Sequence, residues 1–282
     1  MRILLTGATG FIGNHILNTL DKNTTTLVIR DLEAEKKFTE AGWKTTSFKI
    51  FPRETDVVIH AAGTAGGTLE ECISGNVLST LDVLDSIKAS SIPHLIYLSG
   101  AAIYGNVSEP AKESDLVSPM TPYGTSKLAA ERIIERAIHN NIIESATIFR
   151  CNNIYGAGSD HGMMSYFIKD AIANLAINVD GDGSQIREPI FIDDVVSIIK
   201  KAVDLKKPGL HIYNVSGSEA KTLVEIGACL SQALEKNVHV QLSGKPGGLP
   251  HTLRLDISKS ARELDWKPTT LLHEGIQKTI IS

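Results

Sequence analysis

Short runs of apolar residues alternate with amphipathic stretches through the first half of the chain. The apolar runs predict buried strands at 2–6, 26–30, 56–60, 94–99 and 145–150, and the amphipathic stretches predict helices at 11–21, 69–90 and 122–140. Buried strands that alternate with helices are typical of the α/β class. We therefore expect a doubly wound parallel sheet.

From residue 151 onwards the pattern becomes less regular. We expect helices at 163–175, 222–234 and 258–266, a strand at 209–216, and a short strand that runs into a helix over 189–203. Asp193 or Asp194 is the expected N-cap of the helix within 189–203. This part should form a smaller, irregular region at the carboxyl edge of the sheet, where ligands of open α/β sheets bind.

Composition excludes several classes of partner. The 282 residues are 42% hydrophobic and carry a net charge of −4, so there is no basic surface that would bind nucleic acid. The longest apolar runs are too short for a membrane span, and the start of the chain does not resemble a signal peptide. Three widely spaced cysteines form neither a disulfide framework nor a metal-binding pattern, so we expect a cytoplasmic protein without a metal.

A glycine-rich turn joins the first predicted strand to the first predicted helix. The sequence TGATGFIG places Gly7, Gly10 and Gly13 there, and such glycines let the backbone approach a pyrophosphate at the helix N-terminus. Because a strand precedes the turn and a helix follows it, the context is that of a Rossmann-like dinucleotide site. Asp31 lies where the adenosine ribose is usually bound, which favours NAD. Its neighbour Arg30 could instead meet the 2′-phosphate of NADP.

The spacing Gly-x-x-Gly-x-x-Gly resembles that of the extended short-chain dehydrogenase/reductases, in their nucleotide-sugar epimerase/dehydratase branch. Motifs similar to those of the branch follow along the chain: HAAG (60–63), PYGTSKLAAE (122–131), FRCNNIYGAG (149–158), GDGSQIREPIFIDDVV (181–196) and LDISKSARELDWKP (255–268). The resemblance implies a dinucleotide-binding domain at 1–160, rejoined by about 186–215, and a substrate-binding region at 161–185 and 216–282. The cofactor-binding residues that it implies are Gly7, Thr9, Gly10, Phe11, Ile12, Gly13, Asp31, Arg30, His60, Ala61, Ala62, Gly63, Asn76, Tyr123 and Lys127.

Tyr123 and Lys127 are the candidate catalytic pair. They are four residues apart on a predicted helix and therefore share a face. A phenol has an unperturbed pKa of about 10 and is a poor base at neutral pH, but a nearby ammonium favours the phenolate. Tyr123 can then exchange a proton with a sugar hydroxyl while a hydride moves at the same carbon. The resemblance implies that Lys127 also holds the nicotinamide ribose.

Gly100 departs from the family pattern. Members of the family carry a Ser or Thr four residues before the Tyr of the Val-Tyr-Gly element, and here that Tyr is Tyr104. Ser99 is one residue early and would serve as a catalytic hydroxyl only if the strand end turns, because neighbouring strand side chains point to opposite faces. We expect a modified enzyme that lacks one hydroxyl, so that Gly100→Ser is tolerated or raises turnover.

The resemblance also narrows the reaction. Sugar 4,6-dehydratases carry an Asp-Glu pair where this chain has Ala101 and Ala102, which leaves 4-epimerisation or reduction of a keto sugar. Asn153, Arg187 and Arg254 are the implied substrate-binding residues, and Arg side chains suit the diphosphate of a nucleotide sugar. The alternatives are a reductase of a non-nucleotide carbonyl compound and an NAD(P)-binding sensor with little or no catalysis. The resemblance further implies a homodimer that pairs through the helices at 69–90 and 122–140.

Overall fold

The computed structural model describes residues 1–205, 207–245 and 251–281. The seven strands of its central sheet are β1 (Ile3–Thr6), β2 (Thr25–Val28), β3 (Lys44–Thr46), β4 (Val57–His60), β5 (His94–Gly100), β6 (Ser145–Cys151) and β11 (Gly209–Val215). Their order in the sheet is β11-β6-β5-β4-β1-β2-β3. The pairs β1–β2, β1–β4, β2–β3 and β4–β5 are parallel.

Ten α-helices accompany the strands among the described residues. They are α1 (Phe11–Leu17), α2 (Leu32–Glu40), α3 (Leu69–Cys72), α4 (Ser79–Ser90), α5 (Pro122–His139), α6 (Met163–Ile172), α7 (Ile192–Val203), α8 (Leu223–Leu234), α9 (Ser258–Leu264) and α10 (Leu272–Ile281). A π-helical turn, Ile73–Leu78, joins α3 to α4. None of the described helices has both the length and the apolar character that crossing a membrane requires.

The chain divides into two compact units. The first contains 1–99, 125–149 and 196–213, and the second contains 100–124, 150–195 and 214–282. The core of the first unit is formed by apolar side chains of the sheet and of α4 and α5, among them the fully buried Leu4, Val58, Leu95, Ile134 and Ile148. Buried strands alternate with covering helices along this unit, which confirms the predicted Rossmann-like α/β class.

The second unit is the more irregular of the two. Its described residues form three two-stranded ladders, which pair β7 (Ile154–Tyr155) with β10 (Ile190–Phe191), β8 (Ile177–Val179) with β13 (Val240–Leu242), and β9 (Ile186–Arg187) with β12 (Lys221–Thr222). The rings of Tyr155 and Phe191 pack 5.6 Å apart in its core. The assignment of chain segments to cofactor and substrate binding stays a prediction.

One local expectation differs from the structure, and some elements were not predicted. Asp193 and Asp194 lie in the first turn of α7 and do not cap it, because that helix already begins at Ile192. The carboxylate of Asp194 instead accepts hydrogen bonds from the backbone of Thr269 and Thr270. Helices α2 and α10 were not predicted. In α2 none of the side chains is buried and only three of the nine residues are apolar, so its apolar signal is short.

Candidate functional site

The glycine-rich turn of the first unit is built on contacts that exclude side chains. Gly7 has a φ of +77°, and its carbonyl accepts a hydrogen bond of 3.0 Å from the amide of Gly10. A Cβ atom on Gly7 would lie 2.5 Å from the backbone nitrogen of Ala62, and one on Gly13 would overlap the carbonyl oxygen of Gly7. A Cβ on Gly10 would meet only that same oxygen, at 3.4 Å. The turn itself therefore requires Gly7 and Gly13, whereas it would accommodate a small side chain at Gly10.

Asp31 and Arg30 follow β2 and have separate partners. The carboxylate of Asp31 caps α2 by accepting a 2.8 Å hydrogen bond from the amide of Ala34, and the residue is exposed. The guanidinium of Arg30 lies over the ring of Phe48, 4.1 Å from its centroid, and 3.9 Å from a carboxylate oxygen of Asp82. Arg30 is thus held by neighbouring side chains, while capping uses only one oxygen of Asp31.

His60 fixes the loop that follows β4. Thr80 donates its hydroxyl hydrogen to the carbonyl of Asn76, so its oxygen accepts from Nε2 of His60 at 3.2 Å. On the other side of the ring, Nδ1 of His60 lies 2.7 Å from the hydroxyl of Thr6, which also accepts from the amide of Ala62. Burial above all, with the positive charge of Lys127, lowers the pKa of His60 to about 3. His60 is a neutral structural group that fixes the Ala62 backbone.

Asn76 ties this loop to helix α5. It lies in the π-helical turn Ile73–Leu78, a distortion that often marks functional positions. Its side-chain oxygen accepts from the amide of Thr64, and its nitrogen donates to the carbonyl of Thr64 and to the hydroxyl of Ser126. A Cβ on Gly63 would stand 2.6 Å from that side-chain oxygen. Asn76 therefore holds the predicted cofactor loop with two hydrogen bonds and ties it to α5 with a third.

Lys127 is buried, with 6% of its surface exposed. Its ammonium donates a 2.8 Å hydrogen bond to the carbonyl of Leu98 and lies 4.8 Å from the ring centroid of Tyr97. A Cβ on Gly63 would be 3.3 Å from the same nitrogen, so the loop after β4 passes directly beside the ammonium. Ser99 is also buried, and its hydroxyl has no hydrogen-bond partner among the described residues.

In the second unit, the phenol of Tyr123 lies against Gly100. A Cβ on Gly100 would be 2.8 Å from the Tyr123 hydroxyl oxygen. Tyr104 has a different setting: it donates to Asn214 and accepts from Arg150, each at 2.8 Å. Burial raises the pKa of Tyr104 to about 12, so that phenol stays protonated. Of the two tyrosines, Tyr123 is the better candidate for exchanging a proton.

The predicted substrate-binding arginines belong to adjoining segments of the second unit. Arg187 is buried and donates to the carbonyls of Ile186 and His251 at 2.8 and 3.1 Å, and this burial lowers its pKa. Arg254 is partly exposed, and its Nε lies 3.1 Å from an oxygen of the buried Glu188. The Nε of Arg254 is one of the five N–H donors of that side chain, so its bond to Glu188 leaves others for an anion.

Asn153, the third predicted substrate residue, has an unusual backbone. Its φ is +35°, in the left-handed region. Its side chain donates a 2.8 Å hydrogen bond to Asn152, and its carbonyl accepts from the amide of Ile190. These bonds orient the turn between β6 and β7.

Residues 3–216 match the model of the NAD dependent epimerase/dehydratase family. The chain belongs to this family. The match spans the glycine-rich turn, the His60–Gly63 loop and helix α5, and it confirms both the predicted resemblance and the expectation of an NAD-dependent enzyme.

Individual relatives are similar along nearly the whole chain. A UDP-glucose 4-epimerase of Yersinia pestis is 28% identical over 320 residues, covering 97% of this chain and 95% of the relative. A dTDP-glucose 4,6-dehydratase of Haemophilus influenzae is 25% identical over 334 residues, covering 99% and 97%. The crystal structure of a UDP-glucuronic acid 4-epimerase from Bacillus cereus, in complex with UDP-glucuronic acid and NAD, superposes with a TM-score of 0.87. It is 25% identical and covers 99% of this chain and 98% of its own.

Sequence reasoning missed polar residues that support the predicted cofactor loop. The hydroxyl of Thr6 accepts from the Ala62 amide, Thr80 holds the His60 ring, and Ser126 accepts from Asn76. The position of Ser126, directly before Lys127, was a usable signal for the last of these. Glu188, the partner of Arg254, was also missed although it follows Arg187 in the chain.

Proposed function

We propose that the protein is an NAD-dependent nucleotide-sugar 4-epimerase, with reduction of a keto sugar as the second candidate. The observation that carries the proposal is Tyr123, a half-buried tyrosine in the first turn of α5, four residues before a buried Lys127. Bound NAD would supply the acceptor and donor of the hydride. The residues that would hold it are Gly7, Gly10 and Gly13, with Asp31 at the adenosine ribose and Lys127 at the nicotinamide ribose.

The proton step is proposed for Tyr123. Its phenol takes the proton of the C4 hydroxyl when the sugar is oxidised and returns it when the keto sugar is reduced. Side chains four residues apart on a helix share a face, and the ammonium of Lys127 favours the phenolate form. Gly7 and Gly13 support NAD binding, since their missing side chains let the turn close as tightly as a pyrophosphate-binding loop requires.

The residues after β5 favour epimerisation over dehydration. Dehydration of a sugar needs an acid and a base to remove water, and positions 101 and 102 hold alanines. Ala101 is also fully buried. The Haemophilus relative is named a dehydratase, but this chain has no carboxylate at those two positions, so we propose that it does not share that reaction.

The proposed substrate is a sugar carried by a nucleoside diphosphate. Arg187 and Arg254 are the proposed ligands of the diphosphate, because planar guanidinium groups suit phosphate oxygens. Both lie on segments that run side by side: the amide of Leu253 donates to the carbonyl of Ile186, and Glu188 accepts from the amide of Leu255. Asn153 is the proposed third contact. The relatives named above act on UDP-linked or dTDP-linked sugars, which supports this class of substrate.

The test is a panel of nucleotide sugars and their 4-keto forms, followed at the nicotinamide absorbance band and by product analysis. We expect one nucleotide sugar to be converted to its C4 epimer, and Tyr123→Phe to abolish turnover while NAD affinity stays within a factor of about two. A Tyr123→Phe protein that keeps a tenth of the wild-type rate would refute the proton role. Turnover of small carbonyl compounds alone would favour the reductase alternative, and NAD binding without any turnover would favour a sensor.

We also propose a cytoplasmic homodimer. Four partly or largely exposed apolar side chains, Leu69, Ile73, Leu78 and Leu81, lie on the α3–α4 segment, where the family resemblance implies pairing. Sedimentation at micromolar concentration should give a dimer, and Leu78→Glu should give a monomer. A wild-type protein that sediments as a monomer would refute the pairing.

A further inference from the structure

Gly100 is a glycine for reasons of space. Its backbone has φ −136° and ψ 148°, an ordinary extended conformation that any residue adopts. Neither a turn nor a positive φ therefore requires glycine at this position, and the reason must be sought in its surroundings.

One side chain fills the space beside Gly100. The three atoms nearest to a Cβ built on this residue all belong to Tyr123: the hydroxyl oxygen at 2.8 Å, Cε1 at 3.1 Å and Cζ at 3.3 Å. Ordinary van der Waals contact begins near 3.4 Å, so even the smallest side chain would push the hydroxyl oxygen away by about 0.6 Å. The phenol fills the volume that the family pattern gives to a Ser or Thr.

A second glycine allows the same close approach one residue after Tyr123. A Cβ on Gly124 would lie 2.7 Å from the carbonyl oxygen of Ala102 and 3.1 Å from Cβ of Pro119. The amide of Gly124 donates to the hydroxyl of Thr121, which fixes the first turn of α5. The helix therefore begins in direct contact with the turn at 100–102, and that contact brings the phenol to Gly100.

We propose that Gly100 is a positioning residue for Tyr123. Because Gly100 has no side chain, the phenol of Tyr123 can lie against the end of β5. The phenol occupies the volume in which the family pattern has a Ser or Thr hydroxyl. The inference rests on the proposed function for its catalytic meaning only. It also reverses the expectation from the sequence: Gly100→Ser does not restore a missing partner but displaces the proton carrier.

The first test needs no substrate. We would measure unfolding free energies of wild type, Gly100→Ala, Tyr123→Phe and the double variant, because Phe lacks the oxygen that lies nearest to the new Cβ. Gly100→Ala should destabilise the wild type clearly more than it destabilises Tyr123→Phe. A double variant that folds where Gly100→Ala does not would be the extreme form of this result. Equal destabilisation in both backgrounds, or failure of both Gly100→Ala proteins to fold, would contradict the proposed packing of the Tyr123 phenol against Gly100. Gly66→Ala is the matched control, since nothing lies within 4 Å of its added Cβ and it should leave stability unchanged.

The second test concerns the reaction. Gly100→Ala and Gly100→Ser should each lower kcat by about 10- to 100-fold while KM and NAD affinity change less than about threefold, since misplacement by a fraction of an ångström to 1 Å costs rate more than binding. A Gly100→Ser protein as active as wild type would overturn the positioning role. If no protein shows turnover but Gly100→Ala still destabilises the wild type more than it destabilises Tyr123→Phe, the proposed function is refuted. The packing of the phenol against Gly100 would then still be supported.

Discussion

The side-chain amide of Asn76 donates a 2.9 Å hydrogen bond to the hydroxyl of Ser126, and both groups are buried. The two residues are 50 positions apart in sequence. Through this bond and two more to Thr64, one amide links the loop after β4 to the helix residue that precedes Lys127.

Ser126→Ala should weaken both the fold and NAD binding. It removes a buried acceptor of the Asn76 amide, and a buried unsatisfied donor costs about 1–3 kcal/mol. We expect a lower melting temperature and a several-fold higher Kd for NAD by calorimetry. Ser114→Ala, at an exposed serine, is the control and should change neither. An unchanged Kd would show that the loop does not depend on this bond.

The three glycines of the turn should separate into two kinds. Gly7→Ala should destabilise the protein by at least about 1–2 kcal/mol, since alanine at positive φ is strained and its Cβ meets the Ala62 backbone. Gly10→Ala should keep the melting temperature, because its Cβ meets no protein atom closer than 3.4 Å. It should weaken NAD binding, because the Cβ would enter the space that the pyrophosphate is proposed to occupy. Thermal unfolding and NAD titration of both variants check this. If Gly10→Ala binds NAD like wild type, the ligand does not approach that glycine.

Asp31 should set the choice between NAD and NADP. Asp31→Asn retains an oxygen that can cap α2 but removes the charge, so the fold should remain while NAD affinity falls by about 10-fold or more. NADP affinity should fall less or rise. Titrations with both dinucleotides test this, with the exposed Glu33→Gln as control. A wild-type protein that prefers NADP would mean that Arg30 dominates, despite its contacts with Phe48 and Asp82.

Acid should destabilise the first unit through buried histidines. Ser145 donates to the carbonyl of Lys207 and so accepts from Nδ1 of His94. Burial above all, with the nearby His211, lowers the pKa of His94 to about 4 from 6.5. Between pH 6.5 and pH 4 the unfolded chain therefore binds a proton that the folded chain does not. His94 stays neutral in the fold, and stability falls as the pH falls through this window.

The contribution of His94 can be isolated with a variant. Between pH 7 and pH 5 the lowered pKa of His94 should reduce the free energy of unfolding by about 2 kcal/mol. His94→Asn retains a donor for Ser145 and should remove that part of the pH dependence. Urea unfolding at pH 7, 6 and 5 measures the difference between variant and wild type. His161→Asn, at an exposed histidine, should leave the dependence as it is. Parallel curves for His94→Asn and wild type would contradict the assignment.

The sequence by itself determined the elements whose signals are local. Strands buried on both faces appear as continuous apolar runs, so β1, β4, β5 and β6 were predicted to within about a residue at each end. The glycine-rich turn and the Tyr123–Lys127 spacing are local in the same sense, and so is the absence of acidic residues at 101 and 102. Helix α2 was missed because its side chains are all at least partly exposed and only three of its nine residues are apolar.

The tertiary structure decided which residues meet. Asn76 and Ser126 are 50 residues apart in sequence, and Arg254 and Glu188 are 66 residues apart. No local sequence pattern predicts either contact. The surroundings of Gly100 are the clearest case. From the sequence Gly100 is a missing hydroxyl, since a pattern records only which side chain is absent. Only the packing of the first turn of α5 against the end of β5 shows that a phenol fills that volume. Why a position is a glycine depends on which neighbouring atoms occupy the space that a side chain would fill, and only the tertiary structure shows those atoms.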